Sequence, residues 1–328
     1  MILAGDIGGT STRLAVFDVR DGRLTCLVEE VFPSQKIDGL EETASRFVSS
    51  QPNAITHATI GIAGTIRNDR VETKNLPWTV EGKSLARVLK LPCVTLLNDR
   101  EANAHGIATL ESSDFATLNE GRSASGNAAI ISAGTGLGEA GLYWDGRKLC
   151  PFATEGGHAD FSPRDDREMD LLRYLATKFG RVSYERVLSG PGVFTIYQFL
   201  RDTNRCKQNE RGESAINGGH PSAEISKAAL AGGCEICTTS MDMFISLYGA
   251  EAANLALKIM AVSGIYLGGG IAPKNLPKFR EPTFMKSFTN KGRLRSLLEA
   301  IPVRVILNDK TALRGAARHA ACSAGLMT

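Results

Sequence analysis

Apolar positions along this chain come in two spacings, and the order in which the spacings alternate predicts its architecture. The first stretch, "MILAGD", is a short apolar run. "TRLAVFDV" alternates, "RDG" makes a tight turn, and "RLTCLVEEVF" continues as a third strand. "GLEETASRFVSS" switches to helical spacing through Leu40, Ala44 and Phe47. "HATIGIAG" predicts a buried strand, "GKSLARVLK" a helix, "PCVTLLND" a strand and "REANAHGIATL" a helix leaving it. From Asn127 the opening pattern returns. "NAAIISAG" is a strand, "GTGLG" a glycine turn, "EAGLYW" a strand, "DG" a second hairpin and "RKLCPFAT" a third strand. Further helices are expected near 165–179, 192–201, 222–230, 235–260, 292–300 and 310–321, with strands at "SGIYLGGGI" and "VRVIL". The polar, glycine-containing stretch 204–221 has no period and predicts a mobile surface loop.

The recurrence implies two lobes built from one duplicated unit, each with a glycine-rich β-hairpin. Composition agrees with a globular α/β chain. It has 328 residues, 43% hydrophobic, 22% charged and 6% aromatic, enough for two domains without staples. The net charge of +3 contains no long basic run, so neither nucleic acid nor a membrane surface is expected as the main partner. Seven scattered cysteines do not form a disulfide framework and fit a reducing cytoplasm. Cys234 and Cys237 form a C-x-x-C pair at an expected helix start. No second pair sits at zinc spacing, so no zinc is expected. No signal peptide is expected, and no stretch reaches the roughly 18 apolar residues of a membrane span.

Two matched glycine turns suggest a grip on an anion. Gly8, Gly9 and Thr10 form one; Gly134, Thr135, Gly136 and Gly138 form the other. Turns with little side chain let backbone amides approach phosphate closely, although each alone is also an ordinary tight hairpin. Gly268, Gly269 and Gly270 follow a strand and either admit a purine or ribose or simply enter a helix near Pro273. Neither a Walker loop nor a full Rossmann fingerprint occurs, which disfavours hydride chemistry. Asp6 beside such amides would repel phosphate unless a cation intervened, so it is a candidate Mg²⁺ partner, or else a strand-end residue bonding its turn.

Asn98 and Asp99 close an apolar strand. Asp99 is either a helix N-cap or a general base, and Asn98 can both donate to and accept from hydroxyls. Glu155 and His158 in "TEGGHADF" suit vicinal sugar hydroxyls or make an ordinary loop. Glu185 precedes another glycine turn, and Asn75 lies in a polar connection of the kind that often carries binding residues.

"GDIGGTSTRLA", "LLNDREANAHG", "ISAGTGLGEAGL", "TEGGHADFSP", "YERVLSGPG", "GIYLGGGIAPK" and "KGRLRSLLEAIPVRVI" occur in order over nearly the whole chain. Together they resemble the bacterial ATP-dependent glucokinases of the sugar kinase–Hsp70–actin superfamily. The resemblance implies two duplicated ribonuclease-H-like (actin-like ATPase) domains with a cleft between them. The small one would comprise 1–108 plus 306–328 and the large one 109–305. It implies that Asn98, Asp99, Glu155, His158 and Glu185 hold glucose, with Asn75 nearby and Asp99 as base. ATP phosphates would face the two turns and adenosine residues 268–270, with Mg²⁺ held near Asp6 through water. It also implies a homodimer.

The related repressor-type kinases carry a cysteine-rich zinc motif that "SPRDDREMD" lacks. Rival readings are a kinase for mannose, fructose or an N-acetyl amino sugar, a sugar-responsive regulator, and a nucleotide-switched chaperone or filament protein. The regulator would need a DNA-binding segment ahead of Asp6. In the switch class the polar constellation would lack a purpose.

Overall fold

The computed structural model describes residues 1–328 except 73–75, 77, 123, 208, 218 and 328. Asn75 therefore lies outside the described residues. The chain forms two compact units, one of Met1–Asp114, Cys150–Ala153 and Asn308–Thr328, the other of Phe115–Leu149 and Thr154–Leu307.

In the first unit, strands β1 (Ile2–Ile7), β2 (Ser11–Arg20), β3 (Arg23–Pro33) and β4 (His57–Ile62) precede three short strands. These are β5 (Ile66–Arg67), β6 (Arg70–Glu72) and β7 (Thr79–Glu81), followed by β8 (Thr95–Asn98). The main sheet runs β3-β2-β1-β4-β8, and β5-β6-β7 form a small antiparallel sheet that the periodicity did not reveal. β1 pairs antiparallel with β2 and parallel with β4. The central strand is apolar on both faces because both are covered. Leu3 and Ile7 pack with Leu40, Ala44 and Phe47 of the helix Leu40–Ser49. Ile2 and Ala4 point the other way, onto Leu313, Ala316 and Ala317 of the C-terminal helix Thr311–Ser323.

The second unit repeats the plan. Strands β9 (Phe115–Asn119), β10 (Ala128–Ala133) and β11 (Leu137–Trp144) are followed by β12 (Leu149–Ala153), which crosses the unit boundary. Then come β13 (Gly264–Gly268) and β14 (Val303–Ile306). β10 pairs antiparallel with β11 and parallel with β13, as β1 does with β2 and β4. Strand β9 is an addition, antiparallel to β14. Behind β10 lies the helix Glu235–Ile259, buried along most of its length through Met241, Phe244, Tyr248, Ala252 and Leu255. All-round burial explains why its sequence is apolar without a polar stripe. Cys234 precedes its first residue, as the C-x-x-C reading required.

One expectation is corrected. Residues 204–221 are not a loop throughout, because Glu210–Asn217 is a helix that packs on the helix Pro221–Ala231. Its charged, short sequence hides a period that only its neighbour makes useful. The helix expected at 292–300 is a 3-10 turn, Gly292–Leu294, leading into Arg295–Ala300. The segment after residues 268–270 is a helix of four residues, Ile271–Lys274, too short to serve as an anion-binding terminus.

The C-terminal helix closes on the helix Asp99–Ile107 at backbone distance. A Cβ at Gly315 would lie 1.7 Å from the Ala102 carbonyl oxygen, and one at Gly106 would lie 2.0 Å from that of Thr311. Gly315→Leu must therefore separate the helices. It is expected to cost the folded state about 1–3 kcal/mol or more, the usual range for overpacking. Thermal denaturation checks this, and a midpoint equal to the parent's contradicts the close crossing.

Candidate active site

The first glycine turn is built by its carbonyls. Gly8 closes the turn, its amide donating to the Ser11 carbonyl at 2.9 Å. The Ser34 hydroxyl donates to the Gly8 carbonyl at 2.7 Å, Gln35 Nε2 to that of Gly9 at 3.2 Å, and the Ser34 amide to that of Thr10 at 3.0 Å. Thr12 and Ser34 hydroxyls share a buried bond of 2.9 Å. A trans peptide points its N–H opposite to its C=O. Anchoring the Gly8 and Gly9 carbonyls on Ser34 and Gln35 therefore turns the amides of Gly9 and Thr10 the other way, as a cradle for an anion requires. Ser34 and Gln35 were invisible to motif reading. They stand just past the end of β3, and only its pairing with β2 brings them to the turn.

Asp6 lies at the end of β1, paired with Arg13 across β2. Burial, helped by the nearby Asp99 charge, raises its pKa to about 6, while Arg13 opposes the shift. Arg13 is itself committed, Nη2 donating to Asp309 Oδ2 at 2.8 Å and Nη1 to the Asp309 carbonyl at 3.3 Å. The raised Asp6 pKa is what a nearby cation would lower. Among the described residues no group of three or more His, Cys, Asp or Glu could hold a metal unaided. One or two carboxylates completed by phosphate oxygens is the Mg²⁺ pattern, and Asp6 fits it.

Asn98 turns out to be the N-cap of Asp99–Ile107, its Oδ1 accepting from the Arg100 amide at 2.9 Å and its Nδ2 donating to the Gly64 carbonyl at 2.9 Å. The N-cap alternative for Asp99 is thus corrected: Asp99 is the first helical residue. Its side chain is 30% exposed and 3.7 Å from Arg100 Nη1. Asp99 thus stands at the helix start while its neighbour does the capping.

In the second unit the Gly134 amide donates to the Gly136 carbonyl at 2.9 Å, and the Gly134 carbonyl accepts from Gly190 at 2.7 Å. The Leu137 amide donates to Glu185 Oε2 at 3.1 Å. Just before the turn, the Tyr248 hydroxyl donates to the Ile131 carbonyl at 2.9 Å and accepts from the Ala133 amide at 3.2 Å. A Cβ at Gly134 would meet nothing within 4 Å, so the turn is open on that side.

Residues 268–270 come to the same place. Gly269 has φ +76°, and a Cβ there would lie 2.3 Å from the Ala133 carbonyl oxygen, so no larger residue fits. Glu155 precedes the 3-10 turn Gly156–His158, which His158 closes and which lies against β11. A Cβ at Gly157 would be 2.3 Å from the Leu137 carbonyl oxygen. His158 Nδ1 stands 3.9 Å from Glu185 Oε1, and Arg181 holds the His158 carbonyl at 2.6 Å. The structure thus gathers Glu155, His158, Glu185 and both glycine segments at one end of this sheet. Asp6, Asn98, Asp99 and residues 8–10 gather at the strand ends of the other.

Glycine turns recurring at matching places on duplicated sheets fit one class: an ATP-dependent sugar kinase of the actin-like fold. The glucokinase family model matches residues 3–323. The chain belongs to the glucokinase family, as its motifs implied. A glucokinase of Trichormus variabilis is 41% identical over 341 aligned residues, covering 98% of this chain and 99% of that one. One of Synechocystis sp. is 38% identical over 352, covering 98% of each. The crystal structure of a glucokinase from an Antarctic psychrotroph superposes with a TM-score of 0.85 at 28% identity, covering 98% of both chains. A Streptomyces griseus ROK family glucokinase, solved with glucose and AMPPNP, shares the fold at TM-score 0.66 and 21% identity, covering 98% of this chain and 99% of that one.

The Asp6 shift has a sign. Native Asp6 holds its proton up to about pH 6, whereas the unfolded carboxyl releases it near its ordinary value of 3.8. Stability from this group therefore falls as pH rises between those values and stays reduced above. Asp6→Asn removes the penalty. Without ligands its melting midpoint should exceed the parent's by a few degrees at pH 7, and the gap should close by about pH 4. A gap that does not change with pH contradicts the assignment.

Proposed function

We propose that this protein transfers the γ-phosphate of ATP to the 6-hydroxyl of D-glucose, giving glucose 6-phosphate and ADP. The observation that carries the reading is Asp99, a partly exposed carboxylate that opens the helix following β8, in the same unit as an amide turn whose carbonyls are anchored elsewhere. Asp99 accepts the hydroxyl proton as the oxygen attacks phosphorus, a contribution of about 10²–10⁴ in rate. Glu155, His158 and Glu185 bind sugar hydroxyls, with Asn98 fixing the backbone from which Asp99 projects. The amides of Gly9, Thr10 and Thr135 meet phosphate oxygens, and residues 268–270 leave room for adenosine. Mg²⁺, held near Asp6 through water, would neutralise charge on the phosphates; phosphoryl transfer depends chiefly on such neutralisation and on positioning.

Support comes from the curated glucokinases at 34–41% identity and from neighbours crystallised with glucose or with glucose and AMPPNP. The motif resemblance supports a cytoplasmic homodimer. Among the described residues no helix is long and apolar enough to cross a membrane.

ADP release across a sugar panel tests the reading. Glucose-dependent release supports it. Preference for mannose, fructose or an N-acetyl amino sugar redirects the substrate, sugar-independent hydrolysis points to a nucleotide switch, and none at all to a regulator. Asp99→Asn should lower kcat by about 10²–10⁴ with glucose affinity retained; near-normal turnover removes Asp99 as base. Glu155→Gln should raise the glucose KM with little effect on ATP. A change confined to ATP affinity would mean the sugar pocket is misplaced.

A further inference from the structure

The Gly134 turn depends on one peptide plane, the one joining Gly134 to Thr135. Its carbonyl is taken by the Gly190 amide, so its N–H, that of Thr135, faces the opposite way. Gly190 begins the helix Gly190–Asp202 and is itself held from its carbonyl side by the Ser222 hydroxyl, from the second residue of the helix Pro221–Ala231. Ser189, the cap of the first helix, accepts from Gly192 at 3.1 Å and donates to the Glu185 carbonyl at 2.7 Å, so the segment cannot drift along its axis. The contact is also sterically tight: a Cβ at Gly190 would sit 3.3 Å from the Gly134 carbonyl oxygen.

We propose that Ser222, acting through Gly190, is a positioning residue that fixes the direction of the Thr135 amide and thereby the affinity for a nucleoside polyphosphate. The proposal rests on the reading that this turn receives phosphate. A Cβ at Gly134 would meet nothing within 4 Å, so on that side little but the Gly190 amide restrains the tilt of this plane. A tilted plane would aim its N–H away from the anion. Apparent affinity then falls by the fraction of molecules in the competent orientation. Neither the motif "GTGLG" nor the sugar residues include Ser222, and it lies far along the chain from the turn it serves.

The test uses the full chain and titrates Mg·ADP and glucose separately by calorimetry, with melting midpoints alongside. Losing one neutral hydrogen bond shifts an equilibrium by roughly 2–10-fold. Ser222→Ala should weaken ADP binding by about that factor, leave the glucose Kd within about twofold, and raise the ATP KM more than it lowers kcat. Ser222→Thr, which keeps the hydroxyl, should bind ADP as the parent does. Gly190→Ala, which presses a methyl on the same carbonyl, should weaken ADP in the same direction without touching glucose. Since Ile225 and Ala229 anchor the Ser222 helix in the core, the Ser222 variants should melt with the parent. Parental ADP affinity in Ser222→Ala, or glucose affinity falling in step with ADP, overturns the proposal. A parent protein that binds neither ligand would instead sink the kinase reading itself.

Discussion

A trans peptide cannot aim its C=O and its N–H in the same direction, and the candidate active site is organised around that constraint. To present amides to an anion, the carbonyls must be engaged on the far side. In the first unit Ser34 and Gln35 engage them. In the second the Gly190 amide does so, with Ser222 behind it. The glycines are needed for access, but the direction of the amides is decided by residues outside the turns. Tyr248 extends the principle one step inward, using a single buried hydroxyl to bond the Ile131 carbonyl and the Ala133 amide at the end of β10.

The second organising force is charge without enough counter-charge. Asp6 and Asp99 stand near each other in the first unit; Arg13, which opposes the Asp6 shift, is shared with Asp309, and Arg100 lies 3.7 Å from Asp99. Folding alone does not satisfy this arrangement, since burial and repulsion hold the Asp6 pKa up. Functional sites commonly store such unrelieved electrostatics, because the missing positive charge arrives with the ligand. Asn98 serves in another way. By capping the helix with its own side chain it spares Asp99 that duty.

Close backbone packing makes these placements firm. Gly106 and Gly315 bring the C-terminal helix against the helix that begins at Asp99, so the base candidate rides on an element held by chain more than two hundred residues away. Gly269 does the same for the second unit, where the end of β13 touches the Ala133 carbonyl.

The sequence by itself determined the duplicated strand–turn–strand units, the buried strand at 57–62, and the family to which the chain belongs. Those features are local: periodicity of two or 3.6, and glycines at fixed offsets, act through neighbours along the chain. It also marked Asp6 and Asp99, which lie together in the first unit, and Glu155, His158 and Glu185, which lie near the second glycine turn in the other. Tertiary structure decided the rest. Ser34, Gln35, Ser222 and Arg181 carry no motif, because each acts on a carbonyl distant in sequence and any donor at that point in space would serve. The helix Glu210–Asn217, read as loop from its polar composition, exists through packing on its neighbour. Whether Asn98 or Asp99 caps the helix depended on a difference of one residue, which only the hydrogen-bond geometry resolves. A sequence records which groups are available; the direction in which a peptide plane points is fixed by contacts that close only when the chain folds.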